Sequence, residues 1–418
     1  MLKPRTRLNG EKLYHQYLDL EVTNPTTLGA RPVPLNFTEI RNSSIISSAG
    51  EYFVSIVRLN MDTWYLPLYI PSIQIGQSNV NVTNYYVTLQ VGATYFTQNV
   101  LWTTENPDAL IPPSPLTQQH ILDDYYYGNS YQHLIGLINT ALRACAGSAP
   151  AVAALTAAFS APAAGEIPFP FMQYSESQVV GNMYGLQKYY DQGVTDIAGT
   201  AIVTNPAKIY FNTALYAAFN SLPAKFNPIK DPAPNAQYSD YELSFVSGFG
   251  INIETAVQLS LPATPGTPPV PAAGTYVACL QQFPTLRNLN PVSTIGFTST
   301  LLPINATLIS KPKLYGGLSA NAATGSNAND NISNLLTDIV PQRIYGYESK
   351  NVNYAPQAEY RLIDLIGVNQ SINQIDIAAL WIDVYGGQHQ ILLMPGSSAT
   401  IKLLFRRKDF EGYDVKLQ

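Results

Sequence analysis

The strongest constraint on this chain is a series of short apolar runs cut by turn residues. In the last third, TIGFTSTLL, AEYRLIDLIGV, QIDIAALWIDVY, QHQILLMP and ATIKLLFRR follow one another, and YELSFVSGF and TYVACLQQF precede them. Runs of this size with turns between them predict a sandwich or barrel, because βαβ units would need a helical pattern between strands. Near the start, EYFVSIVRLN carries apolar residues on both faces, as a packed sandwich strand does. TWYLPLYIPSIQI reads as a second strand, bent or pushed to an edge by Pro67 and Pro71, and VNVTNYYVTLQV as an alternating third. Gly386-Gly387 gives a hairpin signal between two such runs, and PGSS at 395–398 gives the next corner. Residues 379–407 are therefore expected to form a three-stranded meander. His389, just after the first turn, reads as a surface or interface residue.

The middle of the chain has a different rhythm. SYQHLIGLINTALRACA places Leu134, Ile135, Ile138, Ala141 and Leu142 at helical spacing and predicts an amphipathic helix. The Ala- and Pro-rich GSAPAVAALTAAFSAPAAGE has room for a short helix inside a loop. IYFNTALYAAFNSLP reads as a strand end, an N-cap at Asn212 or Thr213, and a short helix that stops before Pro223. Residues 261–274 and 318–333 read as loops, the first Pro-rich, and residues 1–30 as an extended leader.

A length of 418 residues allows one elaborated domain or two. Hydrophobic content of 46% excludes a disordered chain. Charged residues make up only 12%, about half the usual globular share of ~25%, which predicts that much of the surface is covered by other copies or partners. With a net charge of −5 and basic residues confined to Lys3, Arg5, Arg7 and Arg406 to Lys408, the chain lacks the broad cationic footprint of a nucleic-acid binder. No direct nucleic-acid contact is expected. Tyr is abundant, at 28 copies, which suits assembly interfaces or sugar stacking as well as plain β propensity. The two cysteines, Cys145 and Cys279, read as free thiols, although arithmetic allows one disulfide between them. The first residues show no apolar h-region and the chain has no run of 18 apolar residues, so neither a signal peptide nor a membrane span is expected. The N-x-[ST] triplets at Asn36, Asn81, Asn305 and Asn331 read as products of an Asn- and Thr-rich composition.

Candidate chemistry is thin. His120, Asp123 and Asp124 in HILDDYYYGN could supply part of a metal site, but the other histidines offer no H-x₃-H or H-E-x-x-H spacing. The stretch reads instead as a polar, Tyr-rich loop before a helix. Nucleophile-elbow, phosphate-loop and dinucleotide motifs are missing, and SGFG at 247–250 lacks the third glycine. Asp376 and Asp383 are seven residues apart on one strand and so point to opposite faces, unlike a paired-carboxylate site. No catalytic, cofactor-binding or metal-binding residue is predicted, and no cofactor.

Two long stretches carry a family resemblance. PVPLNFTEIRNSSIISSAGEYFVSIVRLNMDTWYLPLYIPSIQIGQSNVNVTNYYVTL and VNYAPQAEYRLIDLIGVNQSINQIDIAALWIDVYGGQHQILLMPGSSATIKLLFRRKDF both resemble the minor capsid, or penton, proteins of Polinton-like viruses, adintoviruses and virophages. IYFNTALYAAFNSLP is similar to a segment of the same group. The resemblance covers about half the chain. It implies a mainly all-β fold: a single jelly-roll β-sandwich with a large inserted mixed domain carrying a few short helices, five copies of which close a vertex of an icosahedral shell. On that expectation residues 1–30 are the leader, 31–104 plus 285–418 the jelly-roll, and 105–284 an outward insertion. The implied partners are other copies of the chain, as a homopentamer, and a major capsid protein. The implied location is the virion, with synthesis in the host cytoplasm or nucleus. The family offers no catalytic residue to carry over. The alternatives are a double jelly-roll major capsid protein forming trimers, and a viral receptor- or glycan-binding β-protein. A β-sandwich hydrolase would need His120, His133 and His389 to converge.

Overall fold

The structure is a computed structural model. It describes residues 15–408 except 28–30, 64–65, 75, 107–108, 114–123, 160, 163–165, 191–205, 231–237, 253–274, 306, 309–331, 341–350, 356–360, 368 and 385–386. The chain divides into two compact units. One takes Met1–Leu66, Val292–Ile344 and Glu348–Gln418; the other takes Pro67–Pro291 with Tyr345–Tyr347.

The first unit is a two-sheet antiparallel sandwich of the jelly-roll kind. One sheet runs His15–Thr23, Ser398–Arg407, Tyr52–Asp62, Asn351–Tyr354, with Ile363–Asp364 also on Tyr52–Asp62. The other runs Leu335–Ile339, Val292–Thr298, Gln374–Asp383, Gln388–Gln390, with Asn36–Ile40 also on Gln374–Asp383. Along Gln374–Asp383 every second residue is buried, from Ile375 through Ile377, Ala379 and Trp381 to Asp383. That period of two is what turns an alternating sequence into one wet and one dry face. Opposite, Ile401, Leu403 and Phe405 are buried in alternation, and the register shift between Lys402 and Leu403 places the extra residue, Val57, on the partner strand.

The second unit is built around a helix. α1 (Tyr131–Gly147) starts where Ser130 leaves extended backbone and its Oγ accepts the Gln132 N–H at 3.1 Å. Leu134, Ile135, Ile138, Ala141 and Leu142 form its buried stripe, as the spacing predicts. α2 (Ala149–Ala158) follows, with proline in its first turn, where a missing N–H costs nothing. A five-stranded sheet orders Ala224–Lys230, Tyr238–Leu243, Lys208–Phe211, Val82–Val91 and Thr94–Leu101; a four-stranded sheet orders Val246–Asn252, Thr275–Cys279, Val180–Leu186 and Phe171–Ser175. α1 and α2 share one buried cluster with strands of both sheets. Asn139, fully buried on α1, pins the helix to the Phe171–Ser175 strand: its Nδ2 donates to the Met172 carbonyl at 2.8 Å and its Oδ1 accepts the Met172 N–H at 2.6 Å.

Four expectations need correction. The first concerns the division of the chain, which falls at Leu66 and Pro67 rather than after residue 104. Val82–Val91 and Thr94–Leu101 belong to the second unit because Lys208–Phe211 pairs in register with Val87 to Gln90. Second, the described part of the leader is no appendage: His15–Thr23 is a full strand of the first unit, paired from His15↔Arg406 to Thr23↔Ser398. Third, TWYLPLYIPSIQI is no strand among its described residues and makes only isolated bridges at Tyr69 and Ile73, since proline interrupts the ladder twice. Fourth, residues 379–407 are not a meander. Gln374–Asp383 and Gln388–Gln390 form the expected hairpin, but Ser398–Arg407 crosses to the other sheet after a turn at Gly396, φ +87°. The hairpin turn is also wider than two residues, since the Asp383 N–H donates to the Gly387 carbonyl at 2.9 Å. The Pro-rich 261–274 and nearly all of 318–333 lie outside the described residues.

Candidate functional site

The side chains able to do chemistry fall into separate clusters. In the second unit, His133 sits in the first turn of α1. The Tyr69 hydroxyl meets its Nδ1 at 2.9 Å, Thr103 Oγ1 lies 3.4 Å from Nε2, and the ring stands edge-on to Trp102 at 5.1 Å. Burial lowers the imidazole pKa to about 4, so the ring is neutral at pH 7. Burial also pushes the Tyr69 hydroxyl well above the ordinary tyrosine value, with the Glu105 charge adding to the effect. Glu105 Oε2 accepts the backbone N–H groups of Asn129 and Ser130 and lies 3.7 Å from His133 Nδ1. A carboxylate already holding the start of a helix, beside a neutral histidine, is a structural lock: it fixes α1 to the preceding loop.

The first unit holds a second buried cluster. His389 is 5% exposed rather than on the surface, which corrects the expectation. Its ring stacks on Trp381 at 3.9 Å and its Nε2 pairs with Asp383 Oδ2 at 2.7 Å. Asp383 Oδ1 accepts the Gly387 N–H at 3.0 Å, so one carboxylate ties both ends of the hairpin turn. The signal was present in the sequence: Asp383 shares parity with Ile375, Ile377, Ala379 and Trp381, and a carboxyl on that dry face requires a partner across the turn. Asp376, on the opposite face as its spacing predicts, binds the Ser299 and Thr300 hydroxyls at 2.8 and 2.6 Å and the Thr300 and Leu301 N–H groups at 3.1 and 2.7 Å. Desolvation raises its pKa, but these donors outweigh it and hold the carboxyl below the ordinary aspartate value.

His120 and Asp123 lie outside the described residues; Asp124 opens a short 3₁₀ turn, Asp124–Tyr126. Among the described residues no group of three His, Cys, Asp or Glu is placed to hold a metal ion. His133 and His389 belong to different units. Cys145 and Cys279 are both free and buried, and burial pushes each thiol up to about 12. Many of the tyrosines that suggested a contact surface are core residues of the second unit: Tyr69, Tyr126, Tyr131, Tyr189 and Tyr276 are at most 2% exposed. Among the described residues no single helix is long and apolar enough to cross a membrane.

What remains is a sandwich with long paired strands and a helix-centred unit, and comparison recognises both. A model of the family described as Sputnik minor capsid protein V18/19 matches residues 16–407. The chain belongs to this family. The Sputnik virophage structural protein V19 is 30% identical over 215 residues, 51% of this chain and 87% of that protein. Sputnik virophage protein V18 is 32% identical over 117 residues, 26% of this chain and 69% of that protein. In three dimensions, a chain of the cryo-EM structure of the Sputnik virophage superposes with a TM-score of 0.69 at 26% identity, covering 96% of this chain and all of that one. The mavirus penton protein shares the fold at a TM-score of 0.55 and 14% identity, over 94% of this chain and 99% of that one. The protein is thus a minor capsid protein of the virophage kind, a structural component of a virion.

Proposed function

We propose that this protein closes the vertices of an icosahedral shell as a homopentamer, seated among copies of a major capsid protein. The observation that carries the reading is the likeness to the mavirus penton protein across 94% of the chain, both units included. The charge-poor composition supports it, because a ring of heterologous contacts covers a large share of each subunit's surface. The acidic balance of −5 suits a shell component that leaves genome packaging to other proteins. No catalytic step is assigned to it: among the described residues Glu105 holds the start of α1 and Asp383 holds the hairpin turn. Absolute mass by size-exclusion chromatography with light scattering, backed by negative-stain images, tests the reading. Five copies in a ring are expected. A stable trimer with a pseudo-hexagonal outline would replace the vertex role with that of a major capsomer.

A further inference from the structure

The second unit carries a groove of about 790 Å³ between the Thr94–Leu101 strand and α1. On the helix side Gln132, Gly136, Thr140 and Ala144 line it, spaced four apart. That spacing makes one stripe along the helix, ~18 Å long at ~1.5 Å per residue. Leu137 and Ala141 form the floor behind the stripe. On the strand side Gln98 and Asn99 both line the groove. The Asn99 amide turns back onto the Thr83 and Tyr85 carbonyls at 2.7 and 3.2 Å, which leaves Gln98 as the free amide on this side. The strand ends its sheet, and among the described residues it pairs with Val82–Val91 alone. Cys145 Sγ donates to the Phe96 carbonyl at 2.7 Å and tethers the helix to the strand, with the Gln98–Leu101 stretch beside the groove.

The chemistry of the lining selects the occupant. Its ionisable side chains are Glu105, which caps α1, and His133, neutral above a pH of about 4. Amides, hydroxyls and small apolar groups make up the rest. A phosphorylated or other anionic ligand would find no counter-charge, and the one carboxylate, Glu105, is already engaged by the Asn129 and Ser130 N–H groups. A sugar would find no broad aromatic face, because the one ring in the lining is the imidazole. An extended peptide brings alternating N–H and C=O groups for the open strand edge, and side chains of alternate residues for the floor. About five residues of strand fill ~18 Å.

We propose that this groove takes an extended, uncharged segment of a partner protein, added as a sixth strand beside Thr94–Leu101 with small apolar side chains against α1. The proposal does not depend on the number of copies in the assembly. It is tested by panning a random-peptide phage library on the full chain and screening the enriched peptides against Thr140→Trp and Ala144→Trp. Both positions lie on the exposed flank of α1, where a bulky side chain fills the groove without entering the core. Expected are peptides with alternating small apolar residues that bind both variants roughly tenfold more weakly or worse. In the wild type, amide exchange across 95–101 should slow when such a peptide is added. That second measurement stands alone if either variant does not fold. Failure to enrich any peptide, equal binding to folded variants, protection elsewhere in the chain, or glycans in place of peptides as the ligand lost in both variants would each overturn the proposal.

Discussion

In the jelly-roll unit the buried rings come from both sheets, Trp381, Phe37 and Phe297 from one and Phe405 from the other. In the other unit the centre falls to Ile135 and Ile138 on a helix, ringed by tyrosines. Strands of the same length and alternation serve both. The difference lies in what the dry face meets: another sheet in one unit, a helix in the other. Among the buried polar side chains of the sandwich are Asp383 and His389, hydrogen-bonded at 2.7 Å at the end of a hairpin. In the helix-centred core the buried polar atoms sit on large side chains: the Tyr126 hydroxyl donates to the Val80 carbonyl, the Tyr276 hydroxyl accepts the Ile167 N–H, and Asn139 pairs with Met172.

This contrast can be broken experimentally. The largest effect is expected from Trp381→Ala, which empties the sandwich core and should cost about 3–5 kcal/mol. Hydrogen exchange read by mass spectrometry should then show lost protection in Val292–Thr298 and Asn36–Ile40 while α1 keeps its own. Equal loss in α1 would mean that the two cores do not act separately. Next comes Asn139→Ala, which strands both backbone groups of Met172 and should cost roughly 2–4 kcal/mol, with the loss confined to α1 and Phe171–Ser175. Asp376→Asn should cost about 1–2 kcal/mol at neutral pH. Because the folded carboxyl is more acidic than an ordinary aspartic acid, its contribution is complete above the ordinary pKa of ~3.9 and fades as pH falls through the lower folded value. Wild-type and variant denaturation curves should therefore converge in acid; a gap that persists there would assign the effect to packing. The smallest effect belongs to Asp19→Asn. Asp19 bridges Arg58 at 3.2 Å and Lys402 at 3.1 Å on an exposed face, so its loss should move stability by only a few tenths of a kcal/mol.

The helices were legible where caps and periodicity agree. Ser130 and the stripe from Leu134 to Leu142 fix α1, and Asn212, whose Oδ1 accepts the Leu215 N–H at 3.2 Å, fixes the start of the short Thr213–Ala218 helix. The strands were mostly legible too, but not their partners. Nothing in the alternation of Val82–Val91 distinguishes pairing with Lys208–Phe211 from pairing within the sandwich, since both offer the same apolar face. Proximity to a turn points His389 outward, whereas its register opposite Trp381 turns it inward. The groove was invisible in sequence. Its stripe of Gln132, Gly136, Thr140 and Ala144 resembles any wet helix flank until the strand edge beside it is known.

The two buried thiols have a practical consequence. Cys145 and Cys279 are the chain's whole complement of sulfhydryls, and with each pushed up to about 12 almost none is thiolate at neutral pH. The folded protein is therefore a silent background for maleimide chemistry. A cysteine placed on any exposed loop can carry a dye or a crosslinker without removing the native pair, and sudden labelling of Cys145 would report that α1 has come away from its sheet.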